Sequence, residues 1–199
     1  MTDHEQRQTA LGLLEFGSVV EGIAALDAIM KTVRVEPRRG QVVNPGKYLL
    51  LIAGSFGAVQ AAIEHISANG YSVLDVYMLG NPSGQVIAAL RAPSSAGGPD
   101  TVDMVAAGAV GLLETETVVA AIAAADIVAK TVFVDKLDIR FSERFGGKGV
   151  VFFQGETAAV QAGLDAGVAY LANNGTLIRQ LCLAHPTAEV IAHLRTDIL

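Results

Sequence analysis

The chain has one cysteine in 199 residues. Cys182 therefore has no partner for an internal disulfide and offers no thiolate pair at metal-ligand spacing. It sits in the apolar run Leu181-Cys182-Leu183 and reads as a buried structural thiol. Charge is also scarce: charged residues make up 17% of the chain, against about 25% in ordinary soluble domains. Basic clusters are missing beyond Arg38-Arg39, and the net charge is −6, so nucleic acid is not an expected partner. Long apolar runs are missing too. The most apolar stretch, 118–125, stops at Asp126 and Lys130, far short of the roughly 20 residues that a membrane-spanning helix needs. The start of the sequence, 1–8, is polar and lacks the apolar core of a signal peptide, which gives the expectation of a cytoplasmic protein.

Catalytic patterns are absent as well. There is no Ser-His-Asp arrangement in motif context, no Gly-x-Gly-x-x-Gly and no His/Asp metal spacing. The four histidines are scattered, with His4 in the tail, His65 and His193 on expected helices, and His185 at a helix start. No catalytic residue, metal or cofactor is expected.

What is present is apolar. Hydrophobic residues make up 51% of the sequence, and the mean hydropathy is +0.43. So much apolar surface with so little charge points to burial between subunits, because exposed apolar patches mark interfaces.

The strongest signal is internal repetition, the first thing to seek in a sequence. Residues 10–33, ALGLLEFGSVVEGIAALDAIMKTV, match residues 109–132, AVGLLETETVVAAIAAADIVAKTV, at 14 of 24 positions. Glu15/Glu114, Asp27/Asp126 and Lys31/Lys130 are among the identities. After a small length change, Gly46-Lys47 pairs with Gly147-Lys148 and Gly54 with Gly155. Later still, Pro82 pairs with Pro186, and Val86-Ile87-Ala88 with Val190-Ile191-Ala192. Three colinear blocks make the chain a duplicated domain. The expected organisation is a polar tail at 1–8, a first domain at 9–92, a Pro/Gly/Ser-rich linker at 93–104 and a second domain at 105–199. Two repeats are too few for a solenoid, so duplication serves closed symmetry instead.

Each repeat reads as β-α-β-β-α-β with a short terminal helix. An apolar strand (11–16 or 110–115) precedes a helix. In the first copy Ser18 and Glu21 form a capping box pattern; in the second, Thr117 faces Ala120 where the box wants a carboxylate. Val19, Ile23, Leu26 and Met30 keep helical spacing. A strand beginning near 33 leads through a long connection, ending in Pro45-Gly46-Lys47, to a return strand at 48–53. Ser55 caps a second helix that stops at Asn69-Gly70. A strand at 72–79 follows, and Pro82 opens the last helix. This is the split βαβ, ferredoxin-like arrangement in the α+β class, with helices expected against one sheet face.

These motifs resemble the shell-domain family of bacterial microcompartments. The likeness is carried by Gly12-Leu-Leu-Glu15 and Gly111-Leu-Leu-Glu114, by Ala24 to Lys31 and Ala123 to Lys130, and by Pro45-Gly-Lys47 and Gly146-Gly-Lys148. It spans nearly the whole chain beyond the first nine residues. In that family, six domains form a flat hexagonal tile, so two domains per chain imply a homotrimeric pseudohexamer. Neither repeat is circularly permuted, which favours the single-layered tandem class. The resemblance also implies a structural protein and no enzyme, located in the microcompartment shell. Its implied partners are other shell proteins at the tile edges and small polar metabolites passing a central pore, with no nucleic acid and no membrane.

Site residues follow from the same resemblance. The family's edge lysine, which meets its counterpart on the next tile, matches Lys31 and Lys130. A lysine at a helix C-terminus also favours the dipole by about 0.3–1 kcal/mol, edge or no edge. The family's arginine before the last helix is replaced by Asn81 and His185. The pore is expected to be lined by Val43, Asn44 and Pro45 from the first repeat and by Ser142, Glu143, Arg144 and Phe145 from the second. Three Arg144 side chains near an axis would attract anions unless Glu143 neutralises them. Relatives from propanediol-using compartments hold an iron–sulfur cluster through a cysteine directly before the Pro-Gly-Lys turn. Asn44 stands there in this chain, and a cluster needs thiolates. The alternative function, from a different class, is a trimeric ferredoxin-like regulator that binds a small metabolite.

Overall fold

The computed structural model describes residues 10–91, 108–141 and 146–195. The chain packs as two compact units, Met1–Pro82 and Ser83–Leu199.

The first unit is built from β1 (Ala10–Phe16), α1 (Val19–Thr32), β2 (Glu36–Val43), β3 (Lys47–Gly54), α2 (Phe56–Ala68) and β4 (Val73–Gly80). Its antiparallel sheet has the order β2-β3-β1-β4. The apolar strand β1 is central, and all seven of its residues are buried. Successive side chains leave a strand on opposite faces. Leu14, Phe16, Tyr48, Leu50 and Ile52 therefore share one face, where they pack against Ala25 and Ile29 of α1 and Ala62 and Ile66 of α2. Gly22 lets α1 approach: a Cβ there would run into the Tyr48 ring.

The second unit contains α3 (Gly84–Arg91), β5 (Ala109–Thr115), α4 (Val118–Thr131), β6 (Lys136–Arg140), β7 (Gly149–Gly155), α5 (Thr157–Asn173), β8 (Leu177–Ala184) and α6 (Ala188–Arg195). The sheet order β6-β7-β5-β8 repeats that of the first unit, and its register keeps the duplication: Glu114 faces Val150 as Glu15 faces Leu49.

Three details differ from the sequence reading. The connection between β2 and β3 is tight, only residues 44–46, because β2 starts later than 33 and runs to Val43. Glu21 completes only half of the capping box. The Ser18 hydroxyl accepts the Glu21 N–H at 3.4 Å, but the Glu21 carboxylate takes the Ser72 N–H at 2.5 Å and so ties α1 to the start of β4. The helices of a repeat also do not all share one face. α6 packs through Ile191 and Leu194 on Val110 and Phe152, which alternate with Leu113, Val151 and Phe153 and so lie on the other side of the sheet.

The unit boundary at Pro82 leaves α3, the last helix of the first repeat, in the second unit. There it contacts β6 and α4. The expected tail and the whole of the expected linker lie outside the described residues.

Candidate pore turn and tile edge

The Gly-Lys motif is a turn locked to the sheet. Gly46 and Gly147 take positive φ, 109° and 82°, a region that favours glycine. The lysine that follows reaches across the strands to the glutamate of the first motif. Lys47 Nζ lies 3.0 Å from Glu15 Oε1, and Lys148 Nζ lies 3.1 Å from Glu114 Oε1. Lys47 shares a strand face with Leu49, which faces Glu15 in register, so the pair is diagonal. The environments differ: the Glu15 side chain is fully buried, while that of Glu114 is 34% exposed. Sequence reasoning found these residues as repeat identities and gave them no role.

Of the expected pore residues, Val43 is buried, and Asn44 and Pro45 are exposed at the tip, joined by a cis peptide bond. The Gly46 N–H closes the turn on the Val43 carbonyl at 3.2 Å. Ser142, Glu143, Arg144 and Phe145 lie outside the described residues.

The two lysines expected at the tile edge each pair with an aspartate one helical turn earlier. Lys31 Nζ lies 2.5 Å from Asp27 Oδ2 with both side chains exposed. Lys130 pairs with Asp126 in the same way, but the Asp126 carboxylate is 4% exposed. Its other oxygen accepts the Ser83 N–H at 2.8 Å. Ser83 in turn caps α3, its hydroxyl accepting the Val86 N–H at 3.2 Å, and Gln85 Nε2 donates to the Val134 carbonyl at 2.8 Å. A buried carboxylate thus holds both a lysine and the start of a helix.

Asn81 and His185 are exposed and take the left-handed conformation, φ 50° and 52°. They turn the chain into Pro82 and Pro186; the caps themselves are Ser83 and Thr187, whose Oγ1 accepts the Val190 N–H at 3.5 Å. Glu189 on α6 is held below the usual carboxylate range by its own backbone N–H and then by the Thr187 hydroxyl. Cys182 lies opposite Gly111 on β8 and is half-buried rather than fully enclosed. Among the described residues no cluster of three His, Cys, Asp or Glu side chains is placed to hold a metal, and no helix is long and apolar enough to cross a membrane.

The BMC domain model matches the chain twice, at residues 10–82 and 109–186. The chain belongs to the bacterial microcompartment shell-protein family. The shell protein PduT of Citrobacter freundii is 30% identical over 178 residues, which cover 89% of this chain and 92% of that protein. The shell protein EutK of Salmonella typhimurium is 39% identical over a shorter stretch of 59 residues, 30% of this chain and 36% of that protein. A crystal structure of a microcompartment protein from Desulfitobacterium hafniense DCB superposes with a TM-score of 0.72 at 32% identity, covering 91% of this chain and 97% of that one. A fused permuted hexameric shell protein from the RMM microcompartment shares the fold, with a TM-score of 0.59 at 22% identity over 82% of this chain and 83% of that one. This shell protein is therefore a tandem of two BMC domains in the ferredoxin-like α+β arrangement, its place is the microcompartment shell, and its family is structural rather than enzymatic.

Proposed function

We propose that the chain assembles as a homotrimer into a pseudohexameric shell tile with a central pore for small polar metabolites, and that it performs no catalysis. One observation carries this reading: equivalent helices of the two repeats are covered to different extents. In α4 every residue from Val118 to Asp126 is buried. In α1 only Gly22 and Ala25 of the matching positions are buried. Val20 is 77% exposed where Val119 is fully buried, and Ile23 is 52% exposed where Ile122 is fully buried. A helix apolar on all sides is stable only when covered on all sides, and a contiguous apolar face left in the open marks an interface. The chain thus satisfies one of its two repeat edges and leaves the other for another molecule. An interface of this kind is heterologous and closes on itself only as a ring.

In that tile the pore is lined by Asn44 and Pro45 and by Ser142, Glu143, Arg144 and Phe145, with Val43 supporting the first turn from behind. The ring carries amides from Asn44 and no thiolate, which suits hydrogen bonding to a polar metabolite and leaves an iron–sulfur cluster without ligands. Lys31 and Lys130 face the neighbouring tile, with Asn81 and His185 beside the start of the terminal helices.

The edge assignment is tested by negative-stain microscopy of concentrated protein. The wild type is expected to form hexagonally packed sheets, and Lys31→Asp to leave discrete tiles. Sheets that persist in Lys31→Asp overturn the edge role, and a wild type that never forms tiles overturns the tile.

A further inference from the structure

We propose that Arg34 of one tile packs on the Phe133 ring of the next, so that a first-repeat edge accepts a second-repeat edge and neighbouring tiles share one orientation. The inference rests on the edge reading of Lys31 and Lys130 and adds to it the identity of the partner edge, on a second tile of this same chain. It starts from two segments that differ only in their last residue, Lys31-Thr-Val-Arg34 and Lys130-Thr-Val-Phe133.

The two helices end alike. Val33 closes α1 with φ −129° and ψ 142°, and Val132 closes α4 with φ −137° and ψ 154°. Their N–H groups donate to the Ile29 and Val128 carbonyls at 2.8 and 3.0 Å. Val35 packs on the first core and Val134 is fully buried. Alternation along an extended chain then sends the preceding residue, Arg34 or Phe133, outwards. Phe133 is 83% exposed, more than any other large apolar side chain among the described residues. Arg34 is exposed too, and it forms no ion pair among the described residues. The lysines do not distinguish the edges, because Asp27 balances Lys31 and Asp126 balances Lys130. What separates them is an unbalanced guanidinium on one and an open aromatic ring on the other.

A pseudohexameric tile carries its two kinds of edge in alternation, so opposite edges are unlike. Two close-packed tiles in the same orientation therefore join unlike edges, and the pseudo-sixfold symmetry puts a local two-fold axis at the shared edge. Equivalent positions meet across such an axis. Lys31 faces Lys130, and Arg34 faces Phe133 just beyond the helix ends. A guanidinium over an aromatic face is attractive. Tiles in opposite orientations join like edges instead. Two first-repeat edges then set Arg34 against Arg34, which repels, and two second-repeat edges gain no cation. Discrimination comes from the repulsive pairing as well as the attractive one. Each tile repeats the contact on every edge, so a contact that is weak singly orients a sheet.

The test measures, by light scattering, the concentration at which trimers begin to form sheets, with the trimer mass as the control. Phe133→Arg sets Arg34 against a second guanidinium and is expected to raise that concentration by on the order of 10-fold with trimers intact. Arg34→Phe combined with Phe133→Arg exchanges the partners and is expected to restore assembly at the wild-type concentration. Electron diffraction from wild-type sheets is expected to show tiles of a single orientation. Phe133→Arg trimers that assemble like wild type overturn the contact, as does a double exchange that assembles no better than the single variant, or a sheet with tiles of two orientations. Sheets that survive Lys31→Asp but not Phe133→Arg overturn the role of the lysines and support the contact. Wild-type trimers that form no sheets overturn both.

Discussion

Glu15 and Glu114 occupy the same register of the same strand and hold the same lysine, yet their surroundings make them different groups. The Glu15 carboxylate is fully buried and Lys47 is 19% exposed, whereas Glu114 and Lys148 are 34% and 43% exposed. Removing one partner of a buried pair leaves an uncompensated charge, while an exposed pair contributes little. Lys47→Ala is therefore expected to destabilise the fold by about 3 kcal/mol and Lys148→Ala by less than about 1 kcal/mol, read from urea unfolding followed by far-UV circular dichroism. Equal shifts would contradict this account of the Gly-Lys motif. At this scale the sequence displayed the participants but not the contact. Glu15 and Lys47 stand out as repeat identities, and only the diagonal register of β1 against β3 brings them together. The capping box was misread for a similar reason. Ser18 and Glu21 have the right spacing, but the tertiary partner Ser72 N–H, far along the chain, wins the carboxylate.

Among the elements, the contrast between α1 and α4 separates folding from assembly. Both helices follow the same pattern, and the identities at Val20/Val119 and Ile23/Ile122 are preserved. Ile122 is fully buried within the chain, and Ile23 is 52% exposed. An aspartate at Ile122 buries a charge in an apolar site and is expected to cost several kcal/mol or abolish folding. Ile23→Asp is expected to leave the melting curve of the isolated chain within about 0.5 kcal/mol of wild type, the usual range for surface changes, while preventing trimers. Circular dichroism and light scattering on the same sample distinguish the two outcomes; loss of folding in Ile23→Asp would contradict the reading of α1 as an interface helix. Strand and helix order could be read from periodicity and caps, and the Ser55 cap and the Asn69-Gly70 stop fall where the residues predict. The place of α3 could not. Its apolar positions, Val86 and Leu90, say that it is covered but not by which repeat, and the packing assigns it to the second unit. The opposite faces of α6 and α5 were hidden for a related reason: β5 and β7 are apolar on both faces, so their sequence carries no alternation to choose between them.

For the whole molecule, low charge and high hydropathy have a single cause. A chain with 51% hydrophobic residues and 17% charged ones has more apolar surface than its own cores cover, and part of the excess lies on the α1 face at Val20, Ile23 and Met30. In the proposed ring, duplication would let the two halves differ, with one edge covered by neighbouring sequence and the other left for a second copy. The repeat was enough to read the tandem of two BMC domains. The proposed second pore loop is legible only as residue types at 142–145. The central claim is that this chain of 20.7 kDa closes into a ring of three, and its most direct test is the absolute mass from size-exclusion chromatography with multi-angle light scattering. The account predicts a single species of three chains that holds its mass on dilution through the micromolar range. A monodisperse monomer or dimer at those concentrations would contradict it.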